Sequence, residues 1–184
     1  MSDPFGPEAH ALGMVEAELL KVGLERGERL PTYDLAGIVL QSDESAFREI
    51  VAEYSRYLER SVQFPVRPSL FVMGSPAFIT GAIIAKAFGD AADRRAARRL
   101  AVEAAPQWRF LGFPRVILTN QRFLVYAEDQ YKWLSFWHSG LQEHRQRPDF
   151  GLELLYPDCA PVLLRGPMIP WVSIALASCV RSGT

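Results

Sequence analysis

Short apolar segments alternate with polar turns through the second half of the chain. Five of them are rich in β-branched, aromatic and leucine residues and are separated by polar, Asp, Pro or Gly positions, which is typical of β-strands. A helical spacing follows, in which Trp171, Ile174 and Val180 recur within residues 170–180. The pattern predicts a meander of strands capped by a C-terminal helix. The five predicted strands span residues 115–119, 122–126, 133–137, 152–156 and 161–165.

The N-terminal region begins with a predicted helix that has one apolar face. The residues of this face are Leu12, Val15, Leu19 and Val22. Their spacing is helical, and Gly23 and Gly27 end the pattern. Residues 27–34 form a turn-rich connector. The Pro- and Gly-containing segment before the helix is expected to be a loose arm, which contains His10 at its end.

Residues 42–58 are compatible with two secondary structures. Ser42-Asp43-Glu44 resembles an N-terminal cap, and the apolar positions after it follow a helical period, which slightly favours a helix. Residues 51–57 also have a composition that is compatible with a strand. Periodicity therefore leaves helix and strand open across residues 49–58.

Residues 68–85 contain no charged side chain, a length at which a transmembrane helix has to be considered. Gly74 and Gly81 weaken a continuous helix, and Pro76 suits a first helical turn behind Ser75. We expect a short strand followed by a long helix over residues 76–103, buried within the protein. A membrane-inserted segment is the alternative.

Composition narrows the function classes. Hydrophobic residues make up 49% of the 184 residues and charged residues 22%, which is typical of a globular protein. The net charge of -1 provides no excess of positive charge to attract phosphates, so nucleic acid is not an expected partner. The two cysteines lie outside any C-x-x-C spacing, and the N-terminus lacks the pattern of a signal peptide. We expect a cytoplasmic protein.

The candidate catalytic residues do not form a known catalytic motif. His138 and His144 flank a turn and belong to neither an H-E-x-x-H nor an H-x-E signature. Gly74-Ser75-Pro76 is not a nucleophile elbow, and Cys159 lies in a predicted hairpin loop. Phosphate-binding glycine loops are also missing from the sequence. We therefore expect no enzymatic activity, no cofactor and no metal site.

Two groups of residues are candidate binding surfaces. The first is an arginine cluster on one flank of the predicted helix 76–103, which suits acidic lipid headgroups or an acidic partner, although a solvated helix face explains it equally simply. The second is formed by tryptophans on one face of a predicted strand, where either core packing or an exposed interface would explain them. The candidate binding residues are Arg94, Arg95, Arg98, Arg99, Trp133 and Trp137.

Several segments together resemble an uncharacterised group of actinobacterial proteins. These segments are residues 105–109, 116–124, 133–137 and 161–167, followed by Pro170-Trp171. The T-x-x-R-hydrophobic hairpin from Thr119 to Phe123 is similar to bacterial PH-like and GRAM-like domains. The resemblance covers roughly residues 51–180. It implies a strand rather than a helix near residue 51.

The resemblance implies an α+β fold in which a PH-like split β-barrel of about seven strands is capped by a C-terminal helix. Residues 1–34 would form the N-terminal arm and helix, and residues 35–184 the PH-like domain with the inserted helix at about 76–103. PH-like folds serve as binding platforms for lipid headgroups, peptides or proteins, so the fold alone does not choose the ligand.

We accordingly expect a non-enzymatic adaptor or scaffold that recognises a protein partner or forms a homo-oligomer. The second hypothesis is peripheral association with anionic lipid at the inner face of the membrane, through the apolar and arginine-rich segment 68–99. A hydrolase or metal enzyme is the third.

Overall fold

A computed structural model describes the chain over residues 4–59 and 105–182. The chain divides into two units, one formed by Met1–Tyr57 with Trp108–Thr184 and the other by Leu58–Gln107. Nearly all of the second unit lies outside the described residues, so the described helices and strands belong almost entirely to the first unit. Its fold is α+β, with two α-helices and two antiparallel sheets among the described residues.

The described elements follow the order of helix, strands and helix that the sequence predicts. The helices are α1 (Gly6–Glu25) and α2 (Ile169–Ser182). The strands are β1 (Ala46–Val51), β2 (Glu53–Leu58), β3 (Gln107–Gly112), β4 (Arg115–Thr119), β5 (Arg122–Ala127), β6 (Lys132–Trp137), β7 (Glu143–Arg147), β8 (Gly151–Tyr156) and β9 (Cys159–Arg165). All five strands predicted from the apolar pattern and the capping helix are thus confirmed, with boundaries shifted by up to two residues.

The first sheet has the strand order β1-β4-β5-β6. β1 runs antiparallel to β4, with Ile50 opposite Val116 and Glu49 opposite Ile117. Residues 49–58 thus belong to two strands separated by Ala52, because β1 pairs with β4 and buries Ile50 in the core while β2 pairs with β9. The weak helical periodicity was misleading here, and tertiary pairing decided the structure.

The second sheet has the order β3-β2-β9-β8-β7. β8 and β9 form its centre, where Leu152 opposes Leu164 and Leu154 opposes Val162, and all four side chains are fully buried. The described strands therefore form one four-stranded and one five-stranded sheet rather than a single closed barrel.

The core lies where the sheets and α2 meet. Buried residues of both sheets form one apolar cluster with the buried positions of α2. On α2 these positions recur at helical spacing, and they cover the sheets as a cap. The buried apolar residues of α2 are Ile169, Trp171, Val172, Ala175 and Leu176.

The N-terminal helix is confirmed, but the apolar face predicted for it does not face the core. α1 packs on the start of α2 through small residues: Gly13 and Ala17 are its buried positions. A Cβ on Gly13 would lie 1.9 Å from the carbonyl oxygen of Pro167, so only glycine permits this approach. The predicted apolar face points to solvent, where Leu12, Val15 and Leu19 are 59%, 57% and 67% exposed.

The outer face of the first sheet is partly covered by the connector between α1 and β1. Leu35, Ile38 and Leu40 of this connector pack on Ile117 and Leu124. The connector is fixed at two places, since the N–H of Tyr33 donates to the carbonyl of Ala46 and residues 41–45 contact the β4–β5 turn. Residues 27–34 are thus a connector, as expected from the sequence.

Candidate functional site

A groove of about 520 Å³ lies between the two helices and the edge strand β7. This volume is within the range of sites that hold part of a peptide or a small molecule. The C-terminal half of α1 forms one wall, the middle of α2 another, and β7 the third. The residues that line the groove are Lys21, Leu24, Glu25, His144, Ser173, Ile174 and Ala177.

The groove exists because β7 is the last described strand of its sheet and lies beside α2. β7 pairs with β8 along its whole length, from Glu143 opposite Leu155 to Arg147 opposite Gly151. No other described strand pairs with its second edge. Successive side chains of a strand point to opposite faces, which places His144 on the groove side. Gln146 lies on the same face and accepts a hydrogen bond from the Ser173 hydroxyl at 3.5 Å.

The charged side chains of β7 point away from the groove and are neutralised among themselves and their neighbours. Arg145 donates to Glu143 through Nε (2.5 Å) and Nη2 (2.7 Å). Arg147 lies 3.6 Å from Glu153 and 3.7 Å from Asp149. Both acidic and basic groups on this face are therefore paired, and the open edge of β7 carries little net charge.

The groove is lined by both apolar and polar side chains, including those of His144 and the buried Ser173. Leu24, Ile174 and Ala177 provide the apolar surface, while Lys21 and Glu25 place charges of opposite sign on the rim. An edge strand exposes main-chain N–H and C=O groups that can pair with an extended chain. A groove with apolar surface beside such an edge can hold an alternate side chain of that extended chain.

The groove does not assemble the predicted catalytic candidates. Of the histidines and cysteines considered, only His144 lines it; His138 and Cys159 lie elsewhere. Burial raises the pKa of the Cys179 thiol to about 11, so this thiol is protonated at neutral pH. No group of three or more metal-ligating side chains occurs within residues 4–59 and 105–182.

The sequence predicts that His10 lies in a loose arm, but the structure places it within α1. Its ring lies 4.1 Å from the ring of Phe150, measured between centroids, and it also contacts Phe5 at 6.4 Å. Phe150 precedes β8 and adopts a positive φ of 53°. The helix start is thus attached to the second sheet through aromatic contacts.

The T-x-x-R hairpin forms a clamp that holds the connector against the first sheet. We use "clamp" for Glu44, Thr119, Asn120 and Arg122. Arg122 donates to Glu44 from Nε and Nη2, both at 2.8 Å, and the Thr119 hydroxyl donates to Glu44 Oε1 at 2.8 Å. Asn120 accepts the N–H of Ser45 at 2.8 Å and donates to the carbonyl of Asp43 at 2.9 Å. The motif therefore has a structural role in this chain.

The Glu44–Arg122 pair of the clamp is largely buried, and its surroundings determine the protonation of Glu44. The Glu44 side chain is fully buried and that of Arg122 is 13% exposed. Burial alone would raise the pKa of Glu44, but hydrogen bonds from Arg122, from the Gln41 N–H and from Thr119 outweigh this effect and lower the pKa below 4.5. Glu44 is therefore an anion paired with Arg122 at neutral pH. It does not cap a helix, which was one of the two interpretations of residues 42–58.

The two tryptophans predicted as binding residues share the outer face of β6, as expected, and both are half-buried. Trp133 packs on Ile117 and Leu124 of the second apolar cluster, and the Arg115 guanidinium lies 5.7 Å from its ring centroid. Trp137 is covered by the guanidinium of Arg122 at 4.6 Å. Each ring therefore has an intramolecular partner, which favours the core-packing interpretation over an open interface.

The four predicted arginines, Arg94, Arg95, Arg98 and Arg99, lie outside the described residues. The same holds for the uncharged segment 68–85 and the predicted helix 76–103. Among residues 4–59 and 105–182, no helix is long and apolar enough to span a membrane.

No pattern in the sequence predicts the groove. Its residues come from α1, β7 and α2; α1 lies more than 100 residues before the other two elements, and no local motif links the three. β7 itself was not predicted, because its sequence of Glu, His, Arg, Gln and Arg lacks the apolar alternation of a buried strand. A run of charged residues between two predicted strands was the one available signal for an edge strand.

Comparisons with known proteins do not add a family to these observations. No protein-family model matches the chain, and a search of curated proteins finds no significant match. The resemblance to PH-like and GRAM-like domains therefore stays a prediction.

Proposed function

We propose that the chain is a non-enzymatic binding module with a PH-like arrangement, and that it holds an extended segment of a protein partner in the groove between β7 and α2. The PH-like arrangement is supported by an antiparallel meander in two sheets that ends in a C-terminal helix packed on the core. The open edge of β7 beside an apolar groove carries the functional part of the proposal.

The geometry favours an extended peptide over a compact ligand. A strand added to β7 would gain main-chain hydrogen bonds along five residues, and its alternate side chains would enter the groove. Leu24, Ile174 and Ala177 would contact an apolar side chain of the segment, because their side chains cannot form a hydrogen bond with a polar one. Lys21 and Glu25 at the rim would select its polar neighbours.

The test compares two substitutions on the same helix. Ala177→Arg places a long charged side chain in the groove, whereas Val180→Arg places it at a 37% exposed position outside the lining residues. We expect wild-type chain and Val180→Arg to capture the same proteins from the native cell, and Ala177→Arg to recover about tenfold less of them. The readout is quantitative mass spectrometry after affinity capture.

Thermal unfolding of the three proteins provides the structural control, since both substitutions are at partly exposed sites and are expected to change stability by about 0.5 kcal/mol or less. Equal recovery by Ala177→Arg and wild type would place the binding site elsewhere. If wild type captures no protein reproducibly, the chain does not act as an adaptor under those conditions and the proposal fails.

A further inference from the structure

The exposed face of α1 has a pattern that a second copy of the chain would match. Leu12, Val15, Leu19 and Val22 alternate in spacings of three and four residues, which is the a/d pattern of paired helices. The first three of these side chains are more than half exposed although they are large and apolar. The opposite face of the same helix, with Gly13 and Ala17, is the one that packs on α2.

We call the four apolar positions Leu12, Val15, Leu19 and Val22 the stripe. Charged residues of opposite sign lie at its two ends. Glu8 lies four residues before Leu12, and Arg26 lies four residues after Val22, so both continue the same helical face. Both residues are exposed. The stripe therefore runs from a negative end through four apolar positions to a positive end.

The stripe is symmetric about residue 17. Glu8 and Arg26 are each nine residues from this point, Leu12 and Val22 are five, and Val15 and Leu19 are two. Two copies placed antiparallel across a twofold axis would bring Leu12 onto the partner's Val22, Val15 onto the partner's Leu19, and Glu8 onto the partner's Arg26. Such an isologous contact closes after two subunits.

We propose that the protein forms a homodimer through an antiparallel pair of α1 helices, with Glu8 and Arg26 forming reciprocal ion pairs at both ends. The contact of one helix pair is small, so the expected dissociation constant is on the order of 10–100 µM. This surface is distinct from the groove and does not depend on the proposed function.

The main experiment measures the dimer dissociation constant of the full chain by sedimentation velocity over a concentration series. Glu8→Arg and Arg26→Glu each replace two attractive contacts by two repulsive ones, and we expect each to weaken the dimer about tenfold. The double variant Glu8→Arg with Arg26→Glu restores opposite charges. We expect it to return to within about threefold of wild type, since the pairs are re-formed with exchanged partners.

The double variant also distinguishes the effect of the substitutions on the contact between copies from their effect on the stability of α1. Each reversal is unfavourable for the α1 dipole, and the double variant combines both penalties. Recovery of the dimer in a less stable helix can then arise only from the contact between copies. A double variant that stays as weak as the single variants would overturn the proposal, as would a wild-type chain that sediments as a monomer throughout the series.

Two further substitutions test the apolar stripe and its register. The pair Val15→Ser with Leu19→Ser should weaken the dimer about a hundredfold, because each change occurs twice at the centre of the contact. Met14→Ser is the matched control, since Met14 is 51% exposed on the same helix but lies off the stripe. Equal weakening by the control would refute the stripe as the interface.

Glu18 reports on the direction of the helices. It is one residue from the symmetry point and lies at the flank of the stripe, where it is 3.7 Å from Lys21. In the antiparallel pair the two copies of Glu18 approach each other across the axis, so Glu18→Gln should tighten the dimer about twofold by removing like-charge repulsion. An unchanged or weaker dimer would contradict the antiparallel register.

Discussion

Individual buried polar residues determine how this chain responds to acid. His138 follows β6 and its Nε2–H donates to the carbonyl oxygen of Thr119 at 3.0 Å, next to the clamp. Its Nδ1 atom is buried and has no hydrogen-bond partner among the described residues. Burial lowers the pKa of His138 below 6.5, against the opposing effects of Thr119 and of the Glu44 charge. The folded protein therefore holds this imidazole neutral.

We predict that stability falls as the pH drops below 6.5, and that His138 causes most of this fall. Below 6.5 the unfolded chain binds a proton at His138 while the folded chain does not, so protonation favours the unfolded state until the lowered folded pKa is reached. Between pH 7.5 and 5.5 the free energy of unfolding should therefore decrease. Urea unfolding at both pH values measures it.

His138→Gln should remove this dependence, because glutamine retains a donor for Thr119 and does not titrate. His144→Gln is the matched control for replacing a histidine, because His144 lines the groove whereas the contact with Thr119 is made by His138. If His138→Gln shows the same decrease as wild type, the burial of His138 is not its origin.

We expect protonation of Glu44 to cause a second loss of stability at lower pH. Because the pKa of Glu44 is lowered below 4.5, the ion pair with Arg122 persists until the pH falls through that lowered value. Protonation would then leave the Arg122 guanidinium buried beside a neutral acid, and breaking a buried pair is costly. The connector between α1 and β1 is the part of the protein that this clamp holds, so it is expected to detach first on acidification.

At the scale of elements, the packing of α1 on α2 depends on one missing side chain. Gly13→Ala places a methyl group where the nearest atom is a backbone oxygen at 1.9 Å, and backbone cannot give way as a flexible side chain can. We expect the substitution to lower the free energy of unfolding by about 1–3 kcal/mol, even though alanine favours helix. Thermal or urea unfolding measures the change.

Gly23→Ala is the control within the same helix. The added methyl group there meets Glu28 Oε2 at 2.8 Å, and this carboxylate is the end of a flexible side chain. Helix propensity then dominates, and stability should stay equal or increase by up to about 1 kcal/mol. If both substitutions change the free energy of unfolding by the same amount, the close contact of Gly13 with Pro167 does not determine the effect of Gly13→Ala.

The elements that the sequence predicted are those whose apolar residues enter the core. β4, β5, β8 and β9 contain alternating or continuous apolar residues, and all are buried at the centre of their sheets. α1 was predicted as a helix, yet its buried face was not, because Gly13 and Ala17 carry no hydrophobic signal while Leu12 and Leu19 do. A periodic pattern of large apolar residues does not reveal the small residues that permit close helix packing.

The candidate site was less predictable than the fold for a related reason. Trp133 and Trp137 are large aromatic residues on one strand face, a pattern that predicts a binding surface, but Arg115 and Arg122 stack on them within the protein. The groove instead depends on which strand ends the sheet and which helix lies beside it, and both follow from long-range pairing. Local sequence does not contain that information.

At the scale of the whole described unit, α1 presents three faces with separate tasks. Gly13 and Ala17 attach it to the core, Lys21 and Glu25 border the groove, and the stripe from Leu12 to Val22 points away from both. A dimer formed through the stripe would leave both grooves open, because the groove residues of α1 lie outside the stripe. The two copies would then offer two binding sites related by the twofold axis, and a partner with two segments would gain avidity.

This separation predicts that dimerisation and partner binding can be removed independently. Ala177→Arg should leave the dimer dissociation constant within about threefold of wild type, since sites without shared contacts behave additively. Glu8→Arg should weaken the dimer while a partner segment, presented as a single soluble peptide to exclude avidity, binds as it does to wild type. Sedimentation velocity measures the first quantity and titration calorimetry the second. A change of both quantities in either variant would show that the groove and the stripe are one coupled surface, because only shared contacts or a transmitted shift of α1 could link them.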